Sequence, residues 1–236
     1  MRLIGLIGGT SWHSTIVYYR MINEMVGETI GPQGNPPLIL FSLNIELMRA
    51  QEVKKINDTY LEVATILQNA GARAIVICAN TPHMVYDFVQ PKIKIPILHI
   101  ADATGREAAR LGLKRLGLLG NRPTMTKGFI QTQLKKNHGI ETIIPEAEYI
   151  DTCHQYVSNE LTQGKFTPEA KTFFLEQIRS LKEKGADGII LGCTELPLLI
   201  GPEEGALPLL ATTRLHAKMA ADFILSDQSE KLLLES

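Results

Sequence analysis

The chain is 236 residues long and 44% apolar, with 24 Lys and Arg against 25 Asp and Glu for a formal net charge of −1. That length fits one large domain or two small ones around a real hydrophobic core. The balance of charge removes any global attraction to nucleic acid or to an anionic membrane, so a small molecule is the expected partner. Three widely spaced cysteines, an odd number without a CxxC pair, speak against a disulfide framework or zinc knuckle and suit a reducing cytoplasm.

The apolar stretch 3–7 is too short for a secretory signal and runs directly into Gly8-Gly9, so it reads as a buried strand. No run approaches the roughly 18 apolar residues of a membrane span. In chain order, strands are expected at 2–7, 37–43, 74–78, 95–99, 115–119, 142–144, 188–191 and 207–210, with helical periodicity in most of the intervals. Short Ile/Leu/Val runs alternating with helices imply an α/β fold of parallel strands joined by crossover helices. A last helix is expected over 213–225, with a frayed tail from Ser226.

The chain also repeats itself. Gly5-Leu-Ile-Gly8-Gly9-Thr10 matches Gly117-Leu-Leu-Gly120-Asn121-Arg122, and the strand ending at Cys78-Ala79-Asn80-Thr81-Pro82 matches the one ending at Gly192-Cys193-Thr194-Glu195-Leu196-Pro197. Gly8 to Cys78 spans 70 residues and Gly120 to Cys193 spans 73, so the register holds across each half. Each cysteine strand is approached by a helix expected to start at a cap (Asn57; Thr167 followed by Pro168) and to end near Gly71 or Gly185. The reading is two similar lobes, 1–100 with 211–236 and 101–210.

Ligands of parallel sheets gather beyond the carboxyl ends of strands, and both cysteines hold that address with a helix start behind them, Thr81 as a cap before Pro82 after one and Thr194-Glu195 after the other, which favours a thiolate. An approximate two-fold axis between duplicated halves would set one thiol on each side of a ligand in a cleft. That is the arrangement needed to invert a stereocentre, one base removing the α-proton while an acid protonates the opposite face. A cysteine pKa of about 8.5 suits both roles. Asn80, Thr81 and Thr194 supply hydrogen-bond donors beside the thiols, and the loops at Gly8-Gly9-Thr10-Ser11 and Gly120-Asn121-Arg122-Pro123-Thr124 allow close backbone approach. Cys153 reads as buried packing. His83 and His99 read as hydrogen-bonded structural groups, and Arg49 as either a carboxylate binder or a solvated helix charge.

At these residues the sequence resembles the aspartate/glutamate racemase family over nearly its whole length: Gly8-Gly9 after the first strand, Cys78-Ala79-Asn80-Thr81, and Gly192-Cys193-Thr194-Glu195. Further likeness lies in Ser11-Trp12-His13-Ser14-Thr15 and in His99-Ile100-Ala101-Asp102-Ala103-Thr104. The resemblance implies two parallel-sheet lobes related by pseudo-two-fold symmetry, with the active site in the cleft between them. It makes Cys78 and Cys193 the catalytic acid/bases and sets Asn80, Thr81, Thr124 and Thr194 around the substrate's carboxylate and ammonium groups. Thr10, Ser11, Gln51 and Glu195 would line the pocket, and Lys165 would meet a side-chain carboxylate. Neither pyridoxal phosphate nor a metal is implied, and a homodimer is. Glu195 after Cys-Thr is similar to aspartate or broad-specificity racemases, whereas glutamate racemases usually carry histidine there. Two departures are Thr10, where methionine is frequent, and Leu210-Ala211-Thr212-Thr213 in place of Phe-Asp-Thr-Thr. Two other readings stay open: a related cysteine-dependent isomerase of the maleate or hydantoin type, and a catalytically silent amino-acid-binding protein.

Overall fold

The computed structural model describes residues 1–234, and side chains as far as Ser226. The chain divides into two compact units, Met1–His99 with His216–Ser236, and Ile100–Leu215. The first unit holds β1 (Ile4–Gly8), α1 (Trp12–Ile30), β2 (Leu38–Ser42), α2 (Glu46–Arg49), α3 (Val53–Asn69), β3 (Ile75–Ile77), α4 (Tyr86–Val89) and β4 (Ile97–Leu98). The second continues with α5 (Ile100–Arg110), β5 (Arg115–Leu119), α6 (Arg122–Thr126), α7 (Phe129–His138), β6 (Glu141–Ile143), α8 (Ala147–Asn159), α9 (Pro168–Glu183), β7 (Gly188–Leu191), α10 (Leu196–Leu199) and β8 (Leu209–Ala211). The last helix, α11 (Thr212–Leu234), begins in the second unit and belongs mostly to the first. It runs past the expected end at Leu225 and is helical where a frayed tail was expected; Glu235 and Ser236 lie outside the described residues.

Each unit contains one four-stranded, all-parallel sheet, ordered β2-β1-β3-β4 in the first and β6-β5-β7-β8 in the second. All eight expected strands are present. The repeat extends to single contacts. Gly5 in β1 lies opposite both Ile39 and Ile75, and Gly117 in β5 lies opposite both Ile143 and Ile189. A Cβ on Gly5 would come within 3.0 Å of Leu67 of α3, and one on Gly117 within 2.9 Å of Leu181 of α9. In both sheets a glycine therefore opens the first strand to a leucine from the helix that leads into the cysteine strand.

The ends of those two helices match as well. In one, Ala72 N–H donates to Leu67 C=O and Gly71 has φ +94°; in the other, Ala186 N–H donates to Leu181 C=O and Gly185 has φ +88°. The left-handed glycine absorbs leftover helix carbonyls and turns the chain into the strand. The starts differ. Thr167 Oγ1 accepts from Ala170 N–H at 3.2 Å with Pro168 as first helical residue, as expected, whereas α3 begins at Val53 and leaves Asn57 inside the helix. Hydrophobic periodicity extends α3 by a turn beyond the residue whose side chain suggested a cap.

Apolar clusters cover both faces of each sheet's strands. Tyr60, Val63 and Leu67 of α3 pack on Ile7, Ile75 and Ile77, while Leu6, Val76 and Cys78 pack with Tyr18 of α1 and Ala217, Ala220 and Ile224 of α11. In the second unit Phe174, Ile178 and Leu181 of α9 join Leu116, Leu118 and Ile190 in one cluster. Among the described residues no helix is long and apolar enough to cross a membrane.

Candidate active site

In the first unit Cys78 directly follows β3. Its N–H donates to Ile7 C=O at 2.9 Å and its C=O accepts from Ser14 Oγ at 2.8 Å, so both flanking elements hold the residue. The thiol is 1% exposed, lies 3.9 Å from the Val76 carbonyl, and is pushed up from its ordinary pKa by burial. Next, Asn80 is buried with its Oδ1 unpartnered, and Thr81 and Pro82 open a 3₁₀ turn, Thr81–Val85. The expected cap at Thr81 moves back by one, to Asn80, whose side chain makes no capping bond. An acceptor left without a donor in the interior costs roughly 1–3 kcal/mol, so Asn80 Oδ1 is a polar atom that the fold itself leaves unsatisfied.

Beneath this loop lies a cluster of buried histidines. His83 Nδ1 contacts Ala79 C=O at 2.9 Å and Asn80 C=O at 3.2 Å; since carbonyls only accept, this nitrogen carries the proton. The His83 ring meets His99 at 4.8 Å and His216 at 5.3 Å between centroids. His216 Nε2 donates to Leu98 C=O at 2.6 Å and its Nδ1 accepts from the Tyr18 hydroxyl at 2.9 Å. Burial first, then the neighbouring imidazoles, lower His99 to about 2 and His216 to about 3. His83 and His99 are thus interior hydrogen-bonded or packed groups, as expected, and His216 from the far end of the chain completes the set.

The glycine loop closes the other side. Gly9 has φ +88° and donates its N–H to Thr15 Oγ1 at 2.9 Å. Thr10 sits by the Tyr60 hydroxyl, which is buried, makes no hydrogen bond of normal geometry, and is pushed up by burial, with Thr10 pulling the other way and Cys78 adding to the rise. Ser11 Oγ caps α1 by accepting from Ser14 N–H at 3.2 Å. Gln51 lies on an exposed turn between α2 and α3 with φ +55°, a left-handed conformation rare outside glycine. Arg49 is exposed and paired with Glu46 at 2.8 Å, the solvated alternative of its two readings.

In the second unit Gly192 N–H ties to Leu119 C=O at 2.7 Å and Cys193 follows, 9% exposed. Its thiol donates to Glu195 Oε2 at 2.8 Å. Burial first and then the Glu195 carboxylate push this thiol up, while the backbone N–H groups of Glu195 and Leu196 at the start of α10 pull it down. Thr124, fully buried in α6 and capped through its N–H by Asn121 Oδ1 at 2.9 Å, packs against Gly120 and Gly192. Thr194 is half-buried beside the thiol, whereas Lys165 is exposed on the turn before α9. Cys153 is enclosed in the core and pushed up to about 12 by burial.

Three polar groups were not singled out from the sequence. Thr212 Oγ1 donates to Leu191 C=O at 3.0 Å and Thr213 Oγ1 is buried without a partner; both follow β8, and a Thr-Thr pair after a strand was the available signal. Tyr60 has no such signal, because its position in α3 reads as core. All three cysteines are free thiols, and among the described residues no group of three or more His, Cys, Asp or Glu could hold a metal ion.

The fold is shared with known proteins. The family model described as Asp/Glu/hydantoin racemase matches residues 7–220. The broad specificity amino-acid racemase RacX of Bacillus subtilis (strain 168) is 21% identical over 232 residues, covering 96% of this chain and 100% of that protein. Among solved structures, a candidate Asp/Glu racemase from Yersinia pestis is 38% identical with a TM-score of 0.89, covering 95% of this chain and 100% of that one. An aspartate racemase homologue from Pyrococcus horikoshii OT3 is 30% identical with a TM-score of 0.83, covering 95% and 99%.

Proposed function

The chain belongs to the Asp/Glu/hydantoin racemase family, and from that premise we propose that it inverts the α-carbon of a free amino acid with Cys78 and Cys193 as its two acid/bases, needing neither pyridoxal phosphate nor metal. The observation that carries the reading is positional. Each parallel sheet ends its cysteine strand, β3 or β7, at a free thiol followed by polar residues and a helical turn. One thiolate takes the α-hydrogen as a proton, leaving the electron pair on carbon, and the other thiol returns a proton to the opposite face; for the mirror-image substrate the roles exchange.

Burial alone keeps both sulfurs protonated. The substrate ammonium supplies the missing charge, since a cation beside a buried thiol favours its ionised form. Asn80 Oδ1 is the acceptor for that ammonium, and Thr81, Thr124 and Thr194 are donors for the carboxylate, whose hydrogen bonds strengthen as carbanion character spreads into it. A reducing, cytoplasmic setting is part of the same reading, supported by three unpaired thiols. Assembly as a homodimer belongs to the same reading, supported by Trp12, Ile16 and Tyr19, which are exposed on one side of α1.

The test is proton exchange in heavy water on single enantiomers of a panel of amino acids and a 5-substituted hydantoin, with no added cofactor. Wild type is expected to invert at least one compound with deuterium entering the α-position, and Cys78→Ser and Cys193→Ser each to lose inversion by at least about 10²-fold. If wild type exchanges no α-proton on any compound, the racemase reading is wrong.

A further inference from the structure

In the reading above, Asn80, Thr81, Thr124 and Thr194 meet the substrate's ammonium and carboxylate groups, and its side chain still lacks a partner. The first unit holds a buried hydroxyl, that of Tyr60, which also has no task. Its height above the sheet follows from the helix that carries it. α3 returns antiparallel to the strands it joins, and its Leu67 lies so close to Gly5 that a Cβ there would come within 3.0 Å. Tyr60 is two turns nearer the start of α3, about 10 Å along the axis. Three residues of strand cover about the same distance, from Gly5 to Gly8 in β1 and, through the pairing of Ile7 with Ile77, to the level of Cys78. The ring accordingly joins Ile7 and Ile77 in one apolar cluster, and its hydroxyl comes to the carboxyl ends of these strands, beside Thr10.

That oxygen is out of place as packing. Tyr60 is 1% exposed and its hydroxyl makes no hydrogen bond of normal geometry, although Thr10 is its neighbour. Phenylalanine would fill the same space without an orphan polar atom, so folding does not account for the oxygen, and a ligand does. Burial keeps the phenol neutral and able to donate. Thr10 is half-buried and follows Gly9, whose backbone fits tightly against Leu43. It stands where methionine is frequent in the family, and a thioether is a weak acceptor and no donor, so a hydroxyl at this place changes what the pocket can bind.

We propose that Thr10 is a specificity-determining residue that hydrogen-bonds an oxygen in the substrate's side chain, and that Tyr60 is its positioning residue. The inference rests on the racemase reading above. The Tyr60 O–H donates to Thr10 Oγ1, whose own O–H is thereby directed at the substrate, and a hydroxyl that accepts one hydrogen bond donates a stronger one. The substrate class is amino acids with a hydroxyl, carboxamide or carboxylate oxygen in the side chain. Against an apolar side chain of the same shape both hydroxyls stay unpaired, and a site of that kind discriminates more sharply than an apolar pocket.

The experiment compares isosteric substrates by kcat/KM for inversion: asparagine and aspartate with leucine, and serine with α-aminobutyrate. Wild type is expected to favour the polar member by about tenfold or more. Tyr60→Phe should reduce that preference to within about threefold, through loss on the polar member alone, while the thermal midpoint holds or rises. Thr10→Met should do the same and Thr10→Ser should keep the preference. The double variant of Thr10→Met with Tyr60→Phe should match Thr10→Met within about threefold, since Tyr60 acts through Thr10.

Equal loss on both members of a pair, or a wild type that inverts amino acids without favouring the polar member, would overturn the proposal and leave the racemase reading in place. A wild type that exchanges no α-proton on any amino acid removes that reading and the proposal with it.

Discussion

Acidification should open the first unit well before the second, and the size of the effect follows from the histidine cluster. His99 and His216 are 2% and 0% exposed, and are held neutral at about 2 and about 3 against an ordinary 6.5. The groups around them are His83, Tyr18 and Tyr86, none of which offers a negative charge near neutral pH. Because the folded-state pKa values are depressed, the unfolded chain binds the extra protons. Stability is therefore complete above about pH 6.5 and declines as pH falls through that value toward the folded pKa values. At pH 5.0 each histidine costs about 2 kcal/mol, roughly 1.4 kcal/mol for each pH unit below 6.5, and the pair about 4 kcal/mol. That is a large share of the ~5–15 kcal/mol typical of a domain.

Pulse labelling with a maleimide across a urea series assigns the loss to a unit, because buried Cys78 reports on the first and buried Cys153 on the second. Between pH 7.5 and 5.0 the Cys78 midpoint is expected to fall by about 2 M, taking an m-value near ~2 kcal/mol/M, with a smaller change at Cys153. His99→Gln should shrink the Cys78 shift by about half. A Cys78 midpoint that stays in place over this range would refute the argument, since it would mean that the rings accept protons inside the fold without penalty.

Two substitutions test the packing around the same site. Gly9→Ala is expected to destabilise the first unit by more than about 3 kcal/mol, because φ is +88° and the new Cβ would lie 2.0 Å from Leu43 C=O and 2.4 Å from Leu43 N, backbone atoms that no rotamer change can move. A thermal midpoint equal to wild type would contradict it. Tyr60→Phe removes a buried hydroxyl that makes no hydrogen bond of normal geometry, so stability is expected to hold or rise by up to about 1 kcal/mol. A loss above about 1 kcal/mol in urea unfolding would show that the hydroxyl is satisfied in solution.

Much of this was legible in the residues because it depends on local rules. Parallel strands buried on both sides need unbroken Ile, Leu and Val runs, so all eight could be placed, from Ile4–Gly8 to Leu209–Ala211. Left-handed glycines at 71 and 185 marked the turns into the cysteine strands, and the repeat around Cys78 and Cys193 was written in matched spacing. Cap chemistry was weaker evidence: Asn57 and Thr81 have capping side chains, yet the helix turns formed one step or one turn away, since a hydrogen-bonding side chain permits a start without requiring it.

What the sequence by itself determined is the class of fold, the doubled architecture and the two thiols at strand ends, all consequences of periodicity and of residue type at fixed spacing. The tertiary structure alone decided which polar side chains become neighbours. His83, His99 and His216 are far apart along the chain and become neighbours only where β3, β4 and α11 converge. Glu195 is two residues from Cys193, but whether its carboxylate turned to solvent, substrate or sulfur depended on the backbone at the start of α10. Hydrogen bonds and desolvation act over a few ångströms in space. Chain spacing encodes such distances within a helix or strand, and loses them where the chain leaves one.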